Sequence, residues 1–400
     1  MRSIVITGAG IVSALGLGLD NTLKALKNST SGISSIRYLD TIHRKFPVGE
    51  VKYSEDELRA LLDIPNSQIV TRTALLGMTA LQEAFATANI NNSRLRMAFI
   101  SGTTVGGMEK SERYYSDFLN NDSKNDYIAA HDCGACTEMI ADHFGGFSMV
   151  STVSTACSSA ANAIMLGANL IMERKIDMAI AGGSECITKF HLNGFNTLMI
   201  LDSQRCRPFD RDRAGLNLGE GAAYIVMESA ESAKKRNAPV ICRLSGYANT
   251  CDAYHQTASS PEGKGAYMAM RQALDAACLQ PHDINYINAH GTGTQNNDLS
   301  EGTAIMRLFG EHIPPVSSTK PYTGHTTSAA GGVEAVISIL SLQHGFIPAN
   351  LHWQNPMEEL DFTPVIQYKE TPLKHVLSNS FGFGGNDSAL VFSSPAQDFV

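Results

Sequence analysis

The sequence predicts an α/β fold with mixed sheets covered by helices, assembled from two halves of similar plan, and three observations lead there. Short apolar runs rich in β-branched residues alternate with longer segments of helical period, the pattern of layered α/β proteins. A strand, a small-residue turn and an apolar helix follow one another twice, as "SMVSTVSTACSSAANAIMLGANLIM" in the first half and "VSSTKPYTGHTTSAAGGVEAVISIL" in the second. Finally, 400 residues that are 43% hydrophobic and 18% charged bury a large core divided over two domain-sized units. The polar segment "KKRNAPV" (234–240) carries a Pro and is followed by a new strand pattern, so the halves are expected at 1–238 and 239–400.

In chain order, "SIVITG", "RMAFIS", "MVSTVS", "DMAIAGG" and "AAYIVM" read as strands of the first half, and "YINAH" and "ALVFSS" as strands of the second. Segments 71–90 and 328–345 carry apolar residues at helical spacing and predict long packed helices. The stretch from Ala156 to Met172 is apolar nearly all round, which predicts a helix buried on every side.

The first strand runs into Gly8-Ala9-Gly10, which begins like a dinucleotide-binding turn. The third glycine of that fingerprint is Ser13 here, with the next glycine only at Gly16. An acid that binds the ribose should close a second strand about 20 residues on. Asp20 comes too early, and Asp40 follows "SSIRYL", whose central Arg suits no buried strand. Gly8 and Gly10 are therefore expected to permit a tight reversal and close packing, with no nucleotide cofactor.

A balance of 31 Lys+Arg against 39 Asp+Glu argues against nucleic acid as the main partner, because phosphate binding needs a positive field. The N-terminus has no basic segment followed by an apolar stretch, and no apolar run approaches the ~18 residues of a membrane span, so a cytoplasmic protein is expected. Eight scattered cysteines, several in apolar segments, predict free thiols and no disulfide framework. Cys133 and Cys136 form a C-x-x-C, but no second pair accompanies it and the surroundings have helical period, so both are expected to be ordinary helix residues.

Cys157 stands where an apolar strand stops and a helix begins, as exposed nucleophiles do in α/β enzymes. A buried helix N-terminus favours a thiolate, so a lowered Cys157 pKa is expected. Small neighbours such as Ala156, Ser158 and Ala160 let a bulky acyl chain or a second backbone approach. A nucleophilic cysteine needs partners that move protons or stabilise an oxyanion. His290 is read as ending the strand "INYINAH" ahead of Gly291-Thr292-Gly293-Thr294, and His325 lies in "STKPYTGHTTSAAGG", five residues after Lys320. Companions at metal-ligand spacing are absent, so no metal is expected. In "SNSFGFGGNDSALVF" the glycines at 382, 384 and 385 make a loop whose backbone N–H groups suit an oxyanion hole.

Taken together, "VITGAGIVSALG", "TACSS", "RPFDRDRAGLNLGEGAA", "NAHGTGT", "SSTKPYTGH" and "NSFGFGGND" resemble, in order and over essentially the whole chain, the β-ketoacyl-acyl-carrier-protein synthases of the thiolase superfamily. The resemblance implies a thiolase-like five-layered α-β-α-β-α fold, usually homodimeric. It implies that Cys157 takes an acyl chain from the phosphopantetheine thioester of an acyl carrier protein, and that His290 and His325 serve malonyl decarboxylation. Lys320 and Glu334 match a supporting ion pair, with Thr292 and Thr294 also supporting. Phe383 matches a gate whose N–H joins that of Cys157 in the oxyanion hole. No cofactor is implied beyond the carrier's own arm. Initiating synthases carry Asn in place of the second His, and biosynthetic thiolases place a second Cys in the C-terminal Gly loop. Here His325 and "GFGGND" stand at those positions, which marks an elongating enzyme.

"TACSSA" and "HGTGT" are closer to polyketide-type synthases than to primary fatty-acid elongators, so fatty-acid, polyene and polyketide chains all stay open. Val105 in "TTVGGM" matches the acyl-tunnel region. Arg72 and the cluster Arg205, Arg207, Arg211 and Arg213 are candidates for carrier docking, against pairing of the cluster with Asp210 and Asp212. The alternative activities are an acyl-binding or chain-length subunit in a heterodimer, which would not need Cys157, and a nucleotide-dependent oxidoreductase.

Overall fold

The structure, a computed structural model, describes residues 3–90 and 95–395. The first half contributes β1 (Ile4–Ser13), α1 (Arg72–Ala88), β2 (Met97–Gly102), α2 (Cys133–Phe144), β3 (Phe147–Val153), α3 (Ser159–Met172), β4 (Met178–Glu185) and β5 (Gly221–Ser229). The second contributes β6 (Cys242–Cys251), α4 (Lys264–Ala277), β7 (Tyr286–Asn288), α5 (Gln295–Phe309), β8 (Val316–Ser317), α6 (Ala330–His344), β9 (His375–Gly382) and β10 (Asn386–Ser393).

Across the main sheet the strands run β3-β2-β4-β5-β1-β6-β10-β9-β7-β8. Read outward from the centre, the halves have one order: first, fifth, fourth, second, third. Their pairings also match, antiparallel for the two inner pairs and parallel for the two outer ones. Antiparallel pairing of Ile4–Ile6 with Cys242–Leu244 joins the halves. The layers are α1 and α2, the first-half strands, α3 with α6, the second-half strands, then α4 and α5.

The middle layer explains the apolar character of its helices. α6 is buried at every residue from Ala330 to Leu342, and α3 at nine positions from Ser159 to Ile171. Small side chains let the two backbones approach, since a Cβ on Gly331 would stand 2.8 Å from the Ala161 nitrogen. Helices enclosed by two sheets have no polar face to offer.

β1 corrects one expectation. It continues unbroken through Gly8 and Gly10, so no tight reversal occurs there and no strand-to-helix phosphate turn exists. The glycines serve packing alone: a Cβ on Gly10 would lie 2.0 Å from the Ala80 carbonyl oxygen of α1. Cys133 and Cys136 both lie in α2, with free thiols.

Candidate active site

Between β3 and α3 the chain turns through Ala156, whose φ of 53° is a strained value for an L-residue with a Cβ. α3 begins at Ser159, three residues later than the sequence suggests, so Cys157 occupies the elbow and not the helix. Hydrogen bonds hold this elbow in place. The Ser158 hydroxyl lies 2.7 Å from both the Thr155 carbonyl and Asn386 Oδ1, and Asn162 Nδ2 donates to Thr155 Oγ1 and Asn386 Oδ1 at 2.8 Å. Asn386 opens β10 directly after the Gly-rich loop, so the Cys157 elbow and that loop share one anchor.

His325 Nε2 stands 3.0 Å from Cys157 Sγ. The His290 ring meets His325 edge to face at 5.2 Å between centroids. His290 sits two residues beyond β7, which ends at Asn288, and not at the strand end. The Lys320 ammonium lies 3.2 Å from His290 Nδ1 and also bonds the His290 carbonyl and Glu334 Oε1. Phe383 points its backbone N–H at Cys157 Sγ, and its ring stacks on Phe195 at 5.9 Å. Cys157, His290, His325, Phe195 and Phe383 line a cavity of about 220 Å³ whose wall also contains Thr292 and Thr294, with hydroxyls 2.9 Å apart.

Burial dominates the electrostatics. It pushes the Cys157 thiol up to about 12, against the Lys320 charge and the Phe383 N–H, so the expected low thiol pKa is not what this site provides. His290 and His325 are held well below the ordinary histidine range, first by burial and next by Lys320. The resting site therefore pairs a neutral thiol with a neutral imidazole. Glu334 is raised to about 7 by burial although Lys320 pulls it down. The donor atoms of Cys157, His290 and His325 all lie within 4.8 Å of one another, a set a soft cation fits. The Lys320 ammonium beside His290 opposes such an ion.

Sequence reasoning missed the carboxylates that hold the His290 loop. Glu301 accepts from the His290 and Gly291 N–H groups at 2.9 and 2.7 Å and from Asn379 Nδ2 at 3.0 Å. Asp298 accepts from Phe209 N–H at 2.8 Å and Gly293 N–H at 3.2 Å. Their spacing of three on a helix that directly follows the glycine turn was the available signal.

The remaining predicted residues fall elsewhere. Arg72 is not free to dock a carrier: its Nη2 pairs with Glu220 Oε1 at 2.6 Å and its side chain is only 12% exposed. Arg213 is buried on the carbonyls of Asp210, Thr294 and Gln295. Asp210 spends its carboxylate on the backbone N–H groups of Asp212, Gln354 and Asn355, so of the two expected arginine pairings only that of Asp212 forms, with Arg211 Nε at 3.4 Å. Arg205 and Arg211 are exposed and Arg207 is half-buried. Val105 is buried outside the cavity lining and donates its N–H to Glu185.

Residues 1–233 match the family described as "Beta-ketoacyl synthase, N-terminal domain", and residues 241–354 match "Beta-ketoacyl synthase, C-terminal domain". The chain is 33% identical over 411 residues to 3-oxoacyl-[acyl-carrier-protein] synthase 2 of Staphylococcus aureus (strain COL), covering 98% of each. Among solved structures it resembles the ishigamide ketosynthase/chain length factor (TM-score 0.92, 28% identity, 99% of this chain and 100% of that one). It also resembles a type II polyketide acyl-carrier protein complex with its ketosynthase bound to the hexaketide (TM-score 0.87, 27% identity, 98% and 100%).

Proposed function

This chain belongs to the β-ketoacyl synthase family of the thiolase superfamily, and we propose that Cys157, His290 and His325 carry out its condensation. The chain is a β-ketoacyl-acyl-carrier-protein synthase, an acyltransferase; the chain-length-subunit alternative is not favoured by its relatives. The observation that carries the residue assignment is the 3.0 Å approach of His325 Nε2 to Cys157 Sγ in the cavity they share with His290.

In the first half-reaction Cys157 Sγ attacks the thioester carbonyl of an acyl carrier as its proton passes to His325 Nε2. The oxyanion takes the N–H groups of Phe383 and Cys157. The pantetheine sulfur then leaves with the proton from His325, and the acyl chain stays on Cys157. In the second, the malonyl thioester loses CO2, and the electrons of the broken C–C bond pass to an enolate. Lys320 donates to His290 Nδ1, which keeps the ring proton on Nε2, where it serves the enolate oxygen. The enolate carbon attacks the acyl carbonyl, a C–C bond forms, and the Cys157–acyl bond breaks, the sulfur leaving as a thiolate that takes one proton from solvent. Only acyl groups, CO2 and protons move, so the reaction asks for no redox cofactor.

The carrier's phosphopantetheine arm reaches Cys157 through the mouth beside Thr292 and Thr294. Exposed Arg205 and half-buried Arg207 are the docking candidates that remain. A second subunit covers β3. This seven-residue edge strand has no charged residue and no proline, Val150 on it is 39% exposed, and natural edges left open are usually charged or capped. The partner is a second copy or a chain-length subunit. The halves are taken as 1–238 and 239–400, which the repeated strand order supports. Among the described residues no helix is long and apolar enough to cross a membrane. Eight free cysteines suit the cytoplasm.

The test supplies acyl carriers of graded length, fatty and polyene, with malonyl carrier. A 3-ketoacyl carrier two carbons longer, formed by the wild type and not by Cys157→Ala, is the expected product. CO2 release without chain extension across the whole series contradicts the assignment.

A further inference from the structure

The repeated topology places a second elbow opposite the first. α3 and α6 occupy the same place in their halves, each following the third strand of its half. Ala156 (φ 53°) stands three residues before Ser159, where α3 starts, and Thr327 (φ 46°) stands three before Ala330, where α6 starts. In both, an L-residue is held in the left-handed region to turn the chain into a buried helix. Cys157 and Ser328 are therefore equivalent positions. Each also faces the end of the other half's fourth strand: Phe383, just past β9, meets Cys157, and Glu185, the last residue of β4, meets Ser328.

The two elbows are finished differently. The first opens on the cavity, whereas the second is closed by a carboxylate. Ser328 is fully buried and donates to Glu185 Oε2. Glu185, equally buried, also accepts from Thr103 Oγ1 at 3.0 Å, Thr104 N–H at 2.8 Å, Thr104 Oγ1 at 2.7 Å and Val105 N–H at 3.1 Å. One first-half side chain thus ties the loop after β2 to the second-half elbow.

His325 lies three residues before Ser328. Its ring Nδ1 is buried and meets no hydrogen-bond partner among the described residues, so the aim of its Nε2 depends on the backbone to either side. Before the ring, His325 N–H donates to the Asn217 carbonyl at 2.7 Å, and Gly219 N–H donates to the His325 carbonyl at 2.9 Å. After the ring, the anchor is Ser328 on Glu185. We infer that Glu185 and Ser328 are positioning residues: their hydrogen bond braces the second-half elbow against the first half and sets the approach of His325 Nε2 to Cys157 Sγ. The role rests on the reading of His325 as the proton acceptor for Cys157.

Alkylation of Cys157 by iodoacetamide tests this without any carrier substrate, since the S–C bond forms, iodide leaves and the thiol proton passes to His325. Ser328→Ala is expected to slow alkylation at pH 7 by about 10-fold, in the direction of His325→Ala. In a His325→Ala background it should add nothing, because both changes remove one function. Equal rates in wild type and folded Ser328→Ala, or losses that multiply in the double variant, overturn the brace. Glu185→Gln, which keeps the side-chain volume, takes the place of Ser328→Ala if that variant does not fold, and the same non-additivity with His325→Ala is required of it. A wild-type Cys157 that resists the reagent altogether contradicts the nucleophile assignment and leaves the brace aside.

Discussion

At Cys157, burial and charge pull in opposite directions, and burial wins. The Lys320 ammonium and the Phe383 N–H favour a thiolate, yet the closed surroundings hold the thiol up to about 12. The reactive species is then made on demand, by proton transfer to an imidazole that burial keeps neutral. Because neutral His325 accepts the thiol proton, the wild-type alkylation rate should be nearly flat across neutral pH, whereas His325→Ala, left with a thiol held up to about 12, should still be climbing beyond about 9.5, where a free cysteine levels off. A His325→Ala rate that levels off near neutrality, measured by alkylation kinetics, would mean a pre-formed thiolate. The sequence made the identities of Cys157, His290 and His325 legible, because each stands next to a turn signal. It hid Glu185, since a carboxylate that accepts backbone N–H groups has no pattern of its own, and it signalled Asp298 and Glu301 only by their spacing of three after the glycine turn. It also misled at Arg72, whose partner Glu220 lies far along the chain.

At the level of elements, the strands and long helices were readable from period alone, while their ends were not. The strained turn at Ala156 and the unbroken course of β1 through its glycines both depend on what packs against them. β10 carries an example of an element tuned by its neighbours. Asp387, on its second residue, is raised to about 8, first by burial and then by Asp252 and Glu301. In the unfolded chain it loses its proton near ~3.9. Between those values the folded state binds one proton more, so this group's contribution falls as pH rises through the window and levels off above about 8. Asp387→Asn should therefore stabilise the fold at pH 8 by at least about 1 kcal/mol and leave pH 4 nearly unchanged. Thermal melts at the two pH values check this, and an equal shift at both would refute it.

Over the whole molecule, one strand order used twice builds a centre in which each half supplies what the other lacks. The first half brings Cys157, the proposed nucleophile, and the second brings His290, His325 and the Gly-rich loop. The sequence disclosed the repeat through its two strand, turn and helix segments, but no local pattern shows that β1 and β6 pair, or that β3 is left at an edge. That edge sets the quaternary prediction. Val150→Lys, a charge placed on an open β edge, should shift the protein from dimer to monomer in light scattering. A Val150→Lys protein that stays dimeric would contradict the covered edge, and a monomeric wild type would make the partner a chain-length subunit.

The most direct test of the central claim is the intact mass of the protein after exposure to an acyl carrier, with the site located by peptide mapping. Wild type and His290→Ala should both carry one acyl group on Cys157, with His290→Ala then losing condensation with malonyl carrier by about 10²-fold or more. An acyl group on any residue other than Cys157, or none across all chain lengths offered, would contradict it.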